Sequence, residues 1–295
     1  MKVYRSEKAR KNILGTYDKL LVQWEISVEE RDIPSIYGTT HVLVAGDSSS
    51  QPLVLFHGVG DDSALMWLYN AKSLAKQFRI YAVDTIGGPG KSTPGVGYGS
   101  KFEDAEWIDS VLNSLGLSAV HIVGTSHGAY LAQYYAAMRP NRVNRIICLA
   151  GSVPVDGGSS MKTMMRIFLP EALIPTKKNT ARLIRKLCGA NSGMFLNDPV
   201  VMEHYRWLLK GFNNMAMRYH KVKSLTNEQI DVIRPIALYL VGNDDPFQKL
   251  GGKEALLRYS MRCKFYDHVG HGINHEIADE INSVIHSELH EIDSL

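Results

Sequence analysis

The sequence predicts an α/β fold: a mostly parallel sheet with helices packed on both faces. Strand-like and helix-like patterns alternate along most of the chain. Several strand candidates are continuous apolar runs, as expected for strands covered on both sides. One long stretch, from about residue 151 to 234, breaks the alternation with no strand pattern and reads as a helical insert.

In chain order, the strand candidates are 20–26, 41–45, 53–56, 79–83, 120–123, 145–149, 236–241 and 264–269. The clearest helix is 101–115. Ser100 and Glu103 offer a capping box, Ile108, Val111, Leu112 and Leu115 form a helical stripe, and Gly116 ends it. The closing segment 273–290 carries Ile277, Ile281, Val284, Ile285 and Leu289 on one side, again at helical spacing.

A chain of 295 residues suits one large α/β domain or two smaller ones. Its 45% hydrophobic and 21% charged residues are ordinary for a globular protein. The net charge of +3 is too small to imply a nucleic-acid partner. Cys148, Cys188 and Cys263 are odd in number and far apart, so neither a disulfide framework nor a C-x-x-C pair is expected. The charged start Met1-Lys2-Val3-Tyr4-Arg5 lacks the apolar stretch of a signal peptide. No apolar run reaches the ~20 residues of a membrane span. A cytoplasmic location is the expectation.

The insert, placed at 152–232 between core segments 1–151 and 233–295, reads as a cap over the sheet. It holds Pro154, Pro170, Pro175 and Pro199, and Met161, Met164, Met165, Met194, Met202, Met215 and Met217. The methionines suit either an adaptable wall of a substrate pocket or ordinary helix packing. Residues 161–223 carry a local charge of +9, against −6 for the rest of the chain. A solvated outer face explains these basic residues better than an acidic-substrate site. Lys177, Lys178, Lys221 and Lys223 are the ones expected at the surface.

The chemistry centres on Gly124-Thr125-Ser126-His127-Gly128, a G-x-S-x-G between a strand pattern and a helix pattern. A turn that lifts a serine hydroxyl above a sheet needs strained backbone and bare neighbours. Ser126 is therefore the candidate nucleophile. It needs a base, a group orienting that base, and donors for an oxyanion. His271, between Gly270 and Gly272 after the last strand, is the favoured base over His268 and His275. These three histidines lack the H-E-x-x-H or carboxylate spacing of a metal site. Asp244 and Asp245 follow the strand 236–241 and compete as the orienting acid. The backbone N–H of His127 is one expected oxyanion donor, and that of Val59, after the strand 53–56, is the second. His57 reads as a residue shaping that turn. The stretch from Asp84 to Ser92 contains Gly90-Lys91-Ser92, but Thr85 stands where a phosphate loop needs its first glycine. A glycine-rich loop crossing near the site rim is expected instead.

Taken together, His57-Gly58, Asp84 with its loop, Gly124–Gly128, residues 242–246 and Gly270-His271-Gly272 resemble the α/β-hydrolase superfamily. The stretches 37–42 and 225–230 are similar to capped bacterial carboxylesterases. The resemblance implies an eight-stranded core, a helical cap and no cofactor. It favours Asp245 over Asp244, three residues beyond the strand-end glycine, with Asp244 left as a turn residue. The order Ser126, Asp245, His271 is that of the superfamily. The implied activity is a serine hydrolase cleaving carboxylic esters of small or medium apolar substrates. Cleavage of a carbon–carbon, amide or lactone bond, perhydrolysis, or a slow-turnover ligand-binding role are the alternatives. The partner expected is a small molecule; acyl group, alcohol and oligomeric state stay open.

Overall fold

Nine strands form one mixed sheet in the computed structural model, which describes residues 2–155, 167–169, 171, 173–250 and 252–290. They are β1 (Glu29–Ser35), β2 (Gly38–Ala45), β3 (Gln51–Phe56), β4 (Phe78–Val83), β5 (Thr93–Pro94), β6 (Val120–Thr125), β7 (Val143–Leu149), β8 (Ala237–Gly242) and β9 (Arg262–Tyr266). Their order is β1-β2-β4-β3-β6-β7-β8-β9, with β5 on β2. β4, β3 and β6 to β9 run parallel, while β1, β2 and β5 join antiparallel. The chain steps outward from β3 to β4, then resumes on the other side of β3 with β6. Sheets of this kind bind ligands in the crevice at such a switch point, beyond the carboxyl ends of the strands.

Period-2 alternation divides the core. Val54, Phe56, Ile122 and Val241 face a cluster with helices α4 (Asp104–Ser114) and α5 (His127–Met138). Leu53, Leu55, Val123 and Leu240 face the other side, toward α1 (Glu7–Gln23), α2 (Ser63–Met66), α3 (Ala71–Leu74) and helix Ala278–His290. The apolar runs of the central strands thus reflect burial on both faces.

Three local expectations are corrected. Residues 20–26 do not begin a strand: α1 runs to Gln23, capped where Ser6 accepts the Ala9 N–H. Its buried stripe is Ile13, Tyr17, Leu20 and Trp24, a helical period that a short apolar window obscures. The strand of that region is β1, whose sequence EERDIPS buries only Ile33 because it lies at the sheet edge. The capping box at Ser100 is absent. α4 starts at Asp104, with Glu103 as N-cap and no side-chain cap bond, although Gly116 does follow its end with φ +71°. The closing helix is two, Ile273–Glu276 and Ala278–His290, broken at Ile277 (φ −133°, ψ 48°).

Between β7 and β8 the described residues form helices Lys177–Leu187, Gly193–Leu196, Pro199–Gly211 and Asn227–Ile233, and no strand. Met161, Met164, Met165 and Pro170 lie outside the described residues. Of the other methionines, Met217 is buried with Val3, Phe212 and Ala216, Met202 packs on the core, and Met215 is exposed. Met217 and Met202 thus serve helix packing, while Met215 meets solvent. Lys177, Lys178 and Lys221 are exposed, while Lys223 pairs with Glu103.

Two buried histidine–aspartate pairs tie this segment to the rest. His220 Nδ1 bonds Asp104, and its Nε2 bonds the Ile86 carbonyl. His204 Nε2 lies 2.8 Å from Asp62, and its Nδ1 lies 2.7 Å from Thr16 Oγ1 on α1. Burial alone would lower the His204 pKa, but the charge and hydrogen bond of Asp62, backed by Asp61 and Asp84, outweigh it and raise it. Burial would raise the Asp62 pKa, yet His204 pulls it below the usual carboxylate range.

Removing one partner of such a pair strands a buried charge. His204→Ala is expected to lower stability by about 3–5 kcal/mol, a Tm loss of about 10 °C in a chain of this size. The raised His204 pKa makes its contribution complete below about pH 6.5 and lost as pH rises through the folded value. The depressed Asp62 pKa makes its contribution present above about pH 4 and lost on further acidification. The Tm gap between wild type and variant should therefore be widest between about pH 4 and 6.5. Thermal melts showing a gap that widens steadily above that window would refute the pairing.

Candidate active site

The loops that follow β3, β6, β8 and β9 meet at the carboxyl edge of the sheet. The first two flank the switch point. β6 ends at Thr125 and α5 begins at His127, so Ser126 is the whole turn between them. Its backbone has φ 56° and ψ −112°, a left-handed conformation that costs a non-glycine residue about 1–3 kcal/mol. The Ser126 N–H donates to the Leu149 carbonyl at 2.9 Å, and its carbonyl accepts from Tyr130 N–H at 3.2 Å. These bonds hold the strained turn.

Gly124 and Gly128 are dictated by close backbone approach. A Cβ on Gly124 would stand 2.1 Å from the Gly128 oxygen, and one on Gly128 would stand 2.1 Å from the Phe56 oxygen. The pentapeptide thus packs its helix start against the end of β3 with no room for side chains.

The loop after β8 supplies an acid and the loop after β9 a base. His271 Nδ1 lies 2.8 Å from Asp245 Oδ2. Asp245 is buried, and its Oδ1 also accepts the Phe247 N–H at 2.8 Å. Asp244 is exposed, and its N–H donates to the Val269 carbonyl. The structure therefore brings Asp245, not Asp244, to the imidazole. The Phe247 ring packs on His271 with centroids 4.5 Å apart. Behind it Phe168, Leu183, Leu187, Tyr205 and Leu209 form an apolar cluster.

The other two histidines of the closing segment stand apart. His268 is exposed at φ 63°. His275 is buried, with Nε2 3.0 Å from the Leu65 carbonyl, and burial pushes its pKa down to about 4. Among the described residues no group of three or more His, Cys, Asp or Glu side chains could hold a metal ion.

In the loop after β3, His57 Nδ1 bonds the Gly58 carbonyl and its Nε2 accepts the Thr85 N–H, both at 2.8 Å. Both ring nitrogens are thus used in shaping the turn. Asp61 N–H returns to the Gly58 carbonyl, and Gly60 between them has φ +73°. Neither Val59 N–H nor His127 N–H donates to an acceptor among the described residues. Two backbone donors on adjacent loops are thus available to an oxyanion. The Ser126 hydroxyl likewise has no hydrogen-bond partner among the described residues, so its bond to His271 is not formed in this structure. Surface depressions of about 500 and 350 Å³ lie elsewhere, around Asn197 and Arg10, and neither is lined by Ser126.

Two buried carboxylates brace these loops: Asp84, whose loop the sequence already marks, and Glu276, which carried no recognisable signal there. The buried Asp84, at the head of the glycine-rich loop, accepts from Ser63 N–H, Lys91 N–H and Tyr17 hydroxyl. It locks that loop beside the start of α2. Glu276 accepts the N–H groups of Gly189 and Gly270 at 2.7 and 3.0 Å, and burial raises its pKa. His271 N–H donates to the Leu187 carbonyl, and Ala190 N–H to that of His268. The base-bearing loop is therefore stitched to the end of helix Lys177–Leu187, with Glu276 at the seam. On a helix pattern Glu276 looks like one more solvated charge.

A family profile described as alpha/beta hydrolase fold matches residues 51–230. The chain is similar to carboxylesterase YbfK of Bacillus subtilis, 35% identical over 134 residues, which is 45% of this chain and 45% of that protein's length. The chain thus spans less than half of that relative. It is 27% identical over 261 residues to a 2-hydroxy-6-oxononadienedioate/2-hydroxy-6-oxononatrienedioate hydrolase of Paraburkholderia phymatum, covering 81% of this chain and 86% of that one. The naproxen esterase of B. subtilis has the same fold. Its crystal structure superposes with a TM-score of 0.82 at 21% identity, over 96% of this chain and 99% of that one.

Proposed function

The chain belongs to the α/β-hydrolase family, and on that premise we propose that it hydrolyses carboxylic esters through an acyl-enzyme on Ser126. The observation that carries the proposal is the buried Asp245 bonded to His271 in the same loop cluster as the left-handed Ser126. In this reading His271 Nε2 takes the Ser126 proton as Oγ attacks the ester carbonyl. Asp245 keeps the other proton on Nδ1 and stabilises the imidazolium. The N–H groups of Val59 and His127 bind the oxyanion. The alcohol leaves with the proton from His271, and water, deprotonated by the same ring, releases the acid. The apolar cluster beside Phe247 supports small or medium apolar substrates. Residues 152–232 would act as the cap over this site, inserted between core segments 1–151 and 233–295.

A second reading is hydrolysis of a carbon–carbon bond with the same residues. It is favoured by the match along 86% of the oxononadienedioate hydrolase. The test pairs a fluorophosphonate label with two substrate sets, p-nitrophenyl esters and a 2-hydroxy-6-oxo-dienoate, on wild type and Ser126→Ala. Labelling and ester turnover that both need Ser126 are expected. Turnover confined to the dienoate would move the assignment to the second reading. Fast labelling with negligible turnover of either would point to a ligand-binding role.

A further inference from the structure

His127 carries more than a backbone donor. Its imidazole, half-buried next to Ser126, stacks on Tyr130 with centroids 5.6 Å apart and meets the His220 ring at 80° and 5.5 Å. Its Nε2 is buried and has no hydrogen-bond partner among the described residues. The neighbouring histidines cannot supply one. His220 is already held by Asp104 and the Ile86 carbonyl, and His57 by Gly58 and Thr85. Burial, with His220 and His57 adding to it, pushes the His127 pKa down to about 3. The ring is therefore neutral at working pH, with one N–H donor and one lone-pair acceptor. Buried polar groups are normally paired, and this unpaired one lies on the residue directly after the nucleophile candidate, in a side chain that is only half-buried.

We propose that the His127 side chain is a specificity-determining subsite that hydrogen-bonds a hydroxyl carried by the substrate close to the scissile ester. The proposal rests on the ester reading above. A neutral imidazole matches a hydroxyl, which both donates and accepts. It offers a carboxylate only one donor and no compensating charge, and an ammonium would bring an unpaired charge into a buried wall. The hydroxyl can sit on the acyl chain or on the alcohol; either presents the same chemistry to the ring. A site built to pair with a hydroxyl discriminates strongly against the analogue without it, because the pairing group is then left unsatisfied.

The experiment measures kcat/KM by pH-stat for two matched pairs. These are methyl butyrate against methyl 3-hydroxybutyrate, and ethyl butyrate against 2-hydroxyethyl butyrate. Wild type is expected to prefer the hydroxylated member of at least one pair by about 10-fold or more. The pair that shows it identifies the acyl or the alcohol side. In His127→Leu that ratio should fall toward one, and His127→Gln, which can still donate and accept, should keep part of it. The wild-type ratios stand by themselves if a variant fails to fold. Turnover with ratios under about twofold in both pairs, or a ratio that survives His127→Leu, would overturn the subsite while leaving the esterase reading intact. No Ser126-dependent turnover of any of the four esters would overturn both.

Discussion

Replacing Ser126 with alanine is expected to lower kcat for a p-nitrophenyl ester by about 10⁵-fold and to abolish fluorophosphonate labelling. The variant keeps the Val59 and His127 N–H groups and the Asp245–His271 pair, so it can still bind substrate but cannot form an acyl-enzyme. It should fold normally. The Ser126 hydroxyl bonds to no described residue, and alanine accepts the same φ of 56° at similar strain. A Tm within about 2 °C of wild type is expected, as for a substitution that removes no packing or pairing. That pairing of results separates lost chemistry from lost structure. A well-folded Ser126→Ala protein retaining more than a small percentage of activity would mean another group attacks the substrate.

Asp245→Asn should reduce kcat by about 10⁴-fold, the scale of a base locked in the wrong tautomer. Asp245 accepts two N–H groups, from His271 and from Phe247. An asparagine carbonyl can keep the Phe247 bond, but its NH₂ then faces His271 Nδ1. That nitrogen must become the acceptor, which moves the proton to Nε2, where the lone pair is needed for Ser126. Asp244→Asn changes an exposed side chain and should leave kcat within about threefold, as for a surface substitution away from such features. Parallel kinetics on the two variants decide the matter. A large loss at Asp244 with little at Asp245 would overturn the assignment.

Some of this architecture is written locally. The elbow is legible because Gly124 and Gly128 answer a steric demand between groups only a few residues or one neighbouring strand away. β3, β4, β6, β7 and β8 are legible because burial on both faces leaves unbroken apolar runs. β1 is not, because an edge strand buries one residue and otherwise meets water. α1 was masked by the apolar cluster at its end, and its stripe makes sense only against the sheet it covers.

The sequence by itself determined the alternating α/β plan, the serine turn, and a short list of acids and bases in the order the chemistry needs. Tertiary structure alone decided which of them meet. Asp245 rather than Asp244 turns inward, where its carboxylate meets His271 from the neighbouring loop and the Phe247 N–H. Glu276 turns from a helix-surface charge into a brace because Gly189 and Gly270 bring two unpaired N–H groups to it. His204 finds Asp62 across 142 positions of sequence. The physical reason is common to all three. A turn or a strand is fixed by its own residues and nearest neighbours. A buried charge or hydrogen bond is fixed by what the strand order brings opposite it, and no local pattern carries that information.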